Sequence, residues 1–195
     1  MSLVAPESVE VRDVTEADIP LVLDYWFRSP PGFVEGLGVD LAKLPSEVDF
    51  AENLRRKIEA AGARFEPKEA PMGVAPPSGL NSLIILHDNR PVGMHTLNPW
   101  TRGDSGIFHA HIWDAAARGR GIGVRSYPLA CRVFMTRFEL RRILFKTPAQ
   151  NVGAVRVKEK LGIRYVGDEI VDFGVIKAGT LARVFELTRE EAESL

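Results

Sequence analysis

Apolar and polar positions alternate over residues 8–14, SVEVRDV, which predicts a strand. In the following stretch, EADIPLVLDYWF, Ile19, Val22, Leu23 and Trp26 recur at helical spacing. Thr15 with Asp18 predicts a capped start for that helix, and Ser29-Pro30-Pro31-Gly32 predicts its end. Ser46 with Asp49 predicts a second capped start, with a helix running to about residue 60. Residues 61–80 are rich in Pro, Gly and Ala and are expected to form a loop insertion. SLIILHDNRPVGMHTL holds two apolar runs around Asp88-Asn89-Arg90-Pro91, which predicts a β-hairpin. GIFHAHIW, residues 106–113, predicts a central strand, and an Arg/Gly loop at 118–123 leads into a helix over roughly 123–138. A short strand ILFKTP, a helix NVGAVRVKEKLG, a strand IRYVGDEIVDFGVI and a closing strand TLARVFELT complete the pattern. This order implies an α/β fold, a mixed sheet covered by helices on both faces. The chain reads as one domain over residues 1–195.

Composition adds limits. Hydrophobic residues make up 45% of the 195, enough for a real core. The formal net charge of −1 gives no global surface for nucleic acid or membrane. Cys131 is the one cysteine, so no intramolecular disulfide forms, which fits a reducing compartment. No secretory leader or membrane-spanning apolar run is visible, so a cytoplasmic protein is expected, as a monomer or homodimer.

The most informative stretch is FHAHIWDAAARGRGIGV, residues 108–124. A strand runs into Arg118-Gly119-Arg120-Gly121-Ile122-Gly123, and a helix opens there. Glycines let backbone approach an anion, and the first amides of a helix have no intrahelical acceptor. Together they form a phosphate cradle. The loop is neither the G-x-G-x-x-G of dinucleotide folds nor a P-loop ending in Lys-Ser/Thr, so a nucleotide-binding enzyme is the weakest reading.

The R-x-x-G-x-G form of Arg118 to Gly123 resembles motif A of the GNAT acyltransferases. NVGAVRVKEKLGIRYVG, residues 151–167, resembles that family's N-x-x-A-x-x-x-x-x-K-x-G-F element. Asn151, Ala154, Lys160 and Gly162 match it, Leu161 agrees, and Ile163 replaces Phe. The resemblance covers about residues 81–167, and its flavour is that of the ribosomal-protein N-terminal acetyltransferases. It implies a mostly antiparallel sheet of about seven strands, splayed between the fourth and fifth. It also implies acetyl-CoA as co-substrate and an amine as acceptor. Pantetheine would pair with the backbone of His111, Ile112 and Trp113. Arg118 opens the loop, and the amides of Gly119, Arg120, Gly121, Ile122, Gly123 and Val124 would face the pyrophosphate. Asn151 would bond near the acyl end, with Arg120, Arg125 and Lys158 as candidates for the adenosine phosphates.

The chemistry is attack of a neutral amine on a thioester, which needs a base, an oxyanion donor and a proton for the leaving thiolate. A lysine-like amine is neutral in about one molecule in two thousand at pH 7, a cost of about 4–5 kcal/mol. An α-amine costs about 1–1.5 kcal/mol and needs less help. Many relatives carry a Glu base five residues before the Asn and a Tyr acid seven after it; here those positions are Lys146 and Lys158. His109 and His111, two apart on one strand and so on one face, are the replacement candidates, with His111 favoured as nearer the splay. His95, Asp114 and Ser126 are outside candidates. The two strand histidines have no Cys or acid at ligand spacing, so no metal is expected. Trp26, Phe27, Phe33, Trp100 and the 61–80 loop are candidates for the acceptor wall, with core the favoured role for Trp26. The missing Glu and Tyr keep open a non-catalytic acyl-CoA-binding module; a larger donor such as succinyl-CoA is a further alternative.

Overall fold

The structure is a computed structural model and describes residues 7–63 and 80–195. Seven strands form one sheet in the order β1-β2-β3-β4-β5-β7-β6. They are β1 Val9–Asp13, β2 Ser82–His87, β3 Arg90–Trp100, β4 Ser105–Ile112, β5 Arg142–Pro148, β6 Arg164–Val171 and β7 Thr180–Thr188. Every neighbouring pair is antiparallel except β4–β5, which is parallel. The fold class is the mixed α/β arrangement expected.

One face is covered by α1 Ile19–Phe27, α2 Phe33–Gly36 and α3 Glu47–Ala63, which bury Val22, Trp26, Val34 and Leu54 against Ile84 and Met94. The other carries α4 Ile122–Arg137, α5 Val152–Lys160 and α6 Arg189–Glu193, with Phe108, Phe134, Phe138, Phe145 and Phe185 in a continuous cluster. Burying side chains of this size contributes about 1.5–3 kcal/mol each before entropy is charged against them.

Local expectations are met with shifts. Asp18 accepts hydrogen bonds from the Thr15 amide and hydroxyl, but a single 3-10 turn, Glu16–Asp18, precedes α1. The Arg12 guanidinium beside Asp18 lowers the carboxyl's pKa against the opposing effect of burial. Ser46 caps α3 by accepting from the Asp49 amide. That helix reaches Ala63, past the expected end, and residues 64–79 of the expected insertion lie outside the described residues. The hairpin turn places Asp88 and Asn89 at φ 48° and 62°, a left-handed pair these residue types tolerate. The strand expected over 163–176 stops at Val171, and α6 was not foreseen.

The candidate cofactor cleft and its two histidines

β4 and β5 pair at Ser105–Arg142, Gly106–Ile143 and Ile107–Leu144 and then part. Beyond Ile107, β4 stays on β3 while β5 stays on β7. This is the expected splay, and a cavity of about 400 Å³ opens there. It is lined by His109 and His111 of β4, Lys146 and Thr147 of β5, and Asn151 and Lys158 of the α5 region.

The glycine loop has the cradle geometry. Gly119 and Gly121 both sit at φ 75°, and Gly121 is the N-cap of α4. The amides from Gly119 to Val124 find no backbone acceptor among the described residues. Gly123 has a different reason to be glycine: a Cβ there would lie 3.1 Å from Val157, so it lets α4 and α5 approach. Arg120 and Arg125 converge on the carboxylate of Glu7, an anion already seated beside the loop. The donor set thus fits the phosphates of an acyl-CoA.

Other expected contacts are corrected. Arg118 donates from Nε to the Ile112 carbonyl at 3.0 Å and from Nη2 to the Trp113 carbonyl at 3.1 Å. Its guanidinium also lies 4.2 Å from the Phe33 ring centroid, so it braces the end of β4 and does not turn to the loop. The Trp113 amide donates to Val92, which withdraws it from pairing with pantetheine. Lys158 does not reach toward phosphate: it is 3% exposed, and its Nζ donates to the Tyr127 hydroxyl at 3.0 Å. Asn151 caps α5, accepting from the Ala154 amide at 3.2 Å, and lines the cavity as well.

His109 and His111 do share the cavity face. Nε2 of His109 lies 2.6 Å from the Asn98 carbonyl, which only accepts. The proton is therefore on Nε2, and the Nδ1 lone pair is left for another partner. Desolvation lowers the His109 pKa, partly offset by that carbonyl. Desolvation also lowers the His111 pKa, to about 3, and its Nδ1 shares a 2.9 Å hydrogen bond with the Tyr25 hydroxyl. His95 points the other way, buried under α4 with Nε2 2.9 Å from Ser126 Oγ, so neither outside candidate faces the cavity. Asp114 is spent capping the turn at Ala116.

Trp26 is core and cavity wall together, 8% exposed. Phe27 packs on Phe50, while Trp100 stacks on Phe138 at 4.3 Å, away from the acceptor side. Lys146, which lines the cavity, is ion-paired with Glu169 of β6. Cys131 is fully buried, and burial raises its pKa.

Among the described residues, no helix is long and apolar enough to cross a membrane, and no cluster of three or more His, Cys, Asp or Glu is placed to hold a metal. No protein of curated function matches the chain by sequence. Solved structures share its fold. Aminoglycoside acetyltransferase AAC(6')-Ib, in complex with coenzyme A, is 17% identical with a TM-score of 0.68, over 96% of this chain and 98% of that one. Mycobacterium smegmatis RimJ, in complex with CoA-disulfide, is 15% identical with a TM-score of 0.65, over 94% and 83%. Ribosomal-protein-S5-alanine acetyltransferase from Vibrio fischeri is 14% identical with a TM-score of 0.67, over 93% of each chain. Residues 50–163 match the family model described as Acetyltransferase (GNAT) family. The chain belongs to the GNAT acetyltransferase family.

Proposed function

We propose that the protein is a single-domain N-acetyltransferase that moves acetyl from acetyl-CoA to a primary amine by direct attack in a ternary complex. The observation that carries this reading is the cavity at the β4–β5 splay, where His109 and His111 meet Asn151. The amides of Gly119 to Val124 bind the pyrophosphate, and Arg120 and Arg125 take charge from the other phosphates. His109 accepts the amine's proton at Nδ1 as the nitrogen attacks. His111, held by Tyr25, positions the acceptor.

A peptide α-amine is the acceptor class that this lining supports. A second cavity adjoins the first, sharing Trp26, Thr96, Asn98 and His111. Trp26, Phe50, Leu54 and Met94 give it apolar walls, and Asn53, Asn81 and Lys57 give it polar groups. Among the described residues, no Asp or Glu lines either cavity. A polycation such as an aminoglycoside needs carboxylates there to offset its desolvation. An α-amine near the working pH needs neither a counter-charge nor a strong base.

The test is a melting-temperature shift with acetyl-CoA, followed by mass-spectrometric detection of product across peptides, lysine derivatives and aminoglycosides. Stabilisation and acetylated peptide N-termini are expected. Stabilisation without turnover of any amine identifies an acyl-CoA-binding module instead.

A further inference from the structure

α3 lines the second cavity but not the first. It contributes Asn53 and Lys57, one turn apart on one helix face, and Leu54 beside them. At the neighbouring helical positions, three and four residues from Lys57, stand Asn53, Leu54, Ala60 and Ala61, none of them acidic. Glu52 and Glu59 fall off that face, while Asp49 bonds Ser46 and Glu47 pairs with Arg28. Lys57 is exposed and enters no ion pair among the described residues.

Two side-chain amides at this cavity are oriented by their partners. Oδ1 of Asn53 accepts from Arg56 Nη2 at 2.6 Å; a guanidinium only donates, so Nδ2 of Asn53 is left as a donor. Nδ2 of Asn81 donates to the Leu97 carbonyl at 2.9 Å, which leaves its Oδ1 as an acceptor. The α3 side thus offers an ammonium and an amide donor, and the sheet side an amide acceptor. Trp26, Phe50 and Met94 supply apolar wall, and among the described residues Lys57 is the one charged group lining the cavity, His111 being neutral.

We propose that Lys57 and Asn53 select the acceptor: a peptide N-terminus with an aspartate or glutamate as its second or third residue, whose carboxylate docks on the Lys57 ammonium and Asn53 Nδ2. The inference rests on acyl transfer at the splay. The two cavities meet at Trp26, Thr96, Asn98 and His111, so an amine reacting there leaves the rest of its molecule to extend toward α3. A carboxylate on that extension meets a lone cation and a neutral donor, a charge-assisted pairing. A free amino acid carries its carboxylate on the carbon that bears the amine, which keeps it at the junction and away from α3. A peptide carries one further along, on a side chain, and its backbone N–H groups have Asn81 Oδ1 to bond.

Peptides that differ only by Asp against Asn, or Glu against Gln, at the second and third positions test this on the wild type, Lys57→Met and Lys57→Glu. Both substitutions fall on an exposed helix face, where the fold tolerates them. Calorimetric titration of the CoA-loaded protein reads peptide binding without chemistry, and mass spectrometry with acetyl-CoA reads kcat and KM. The wild type should favour the acidic peptide about tenfold, through KM and not kcat. That preference should shrink as salt is added, because the cation is exposed. It should collapse to within about twofold in Lys57→Met. In Lys57→Glu it should reverse toward peptides with Lys at the same position. A wild type indifferent to the charge would overturn the proposal, and so would an acid preference that survives in Lys57→Met. Free amino acids turning over faster than peptides would overturn it as well. Acid-selective binding without turnover of any amine would reject acyl transfer and leave the Lys57 contact standing, whereas the other failures leave acyl transfer standing.

Discussion

Gly121→Asp is expected to abolish measurable acetyl-CoA binding, while Gly121→Asn retains it within about tenfold. Both side chains tolerate the left-handed backbone at φ 75° better than other residue types, and a Cβ there meets nothing within 4 Å. The two variants are nearly identical in shape and differ by one charge. The carboxylate of the Asp variant would sit at the N-terminus of α4 and take the amides offered to the pyrophosphate. At about 4 Å in a partly wet site, repulsion between two unit charges is on the order of 4 kcal/mol, about a thousandfold in affinity. Calorimetric titration of both variants with acetyl-CoA decides the matter. Equal affinities would remove the loop from the cofactor site.

The second large effect is expected at His109. His109→Ala should lose about 10²–10⁴ in kcat at pH 7. The deficit should shrink toward pH 10, where the acceptor loses its proton unaided. Because the pKa of His109 is lowered, its basic form already prevails within the ordinary histidine range, and the deficit of the variant persists on mild acidification. His111→Ala should cost less and act mainly on KM. A base with a pKa of about 3 takes a proton from an ammonium only far uphill, and its Nδ1 is engaged by Tyr25. This reverses the order that sequence position suggested, because proximity to the splay says nothing about which ring nitrogen carries the proton. Matching pH profiles for His109→Ala and wild type would reject the assignment.

What the chain's sequence made legible was local. The hairpin at Asp88-Asn89, the cap at Ser46 and the strand-loop-helix around Gly121 each depend on residues a few positions apart, and each formed as expected. The splay and the strand order came with the resemblance, since periodicity does not say which strands pair. What stayed hidden was contact across the fold. Tyr127 and Lys158 lie 31 residues apart, as do His95 and Ser126, and Tyr25 and His111 lie 86 apart. A lysine in a polar-looking helix, VGAVRVKEK, reads as solvated until the rings of α4 and β5 are packed over it. Arg118 reads as the opening residue of the cofactor loop until its guanidinium is found on the carbonyls of Ile112 and Trp113.

The carboxylate of Glu7 changes what cofactor binding means for this surface. Arg120 and Arg125 are not bare cations surrounded by loosely held salt ions, because Glu7 already compensates them and lies 3.3 Å from His87 Nε2. At the proposed cofactor site, binding then becomes an ion exchange in which a tethered carboxylate leaves and a phosphate enters. Few mobile counterions are set free, so affinity for CoA should respond only weakly to ionic strength, less than the charge on the phosphates implies. Glu7→Gln should bind CoA more tightly at low salt and lose that advantage steeply as salt is added, with both proteins converging where screening is complete. Parallel salt dependences in the two proteins would mean that the phosphates and Glu7 occupy separate ground.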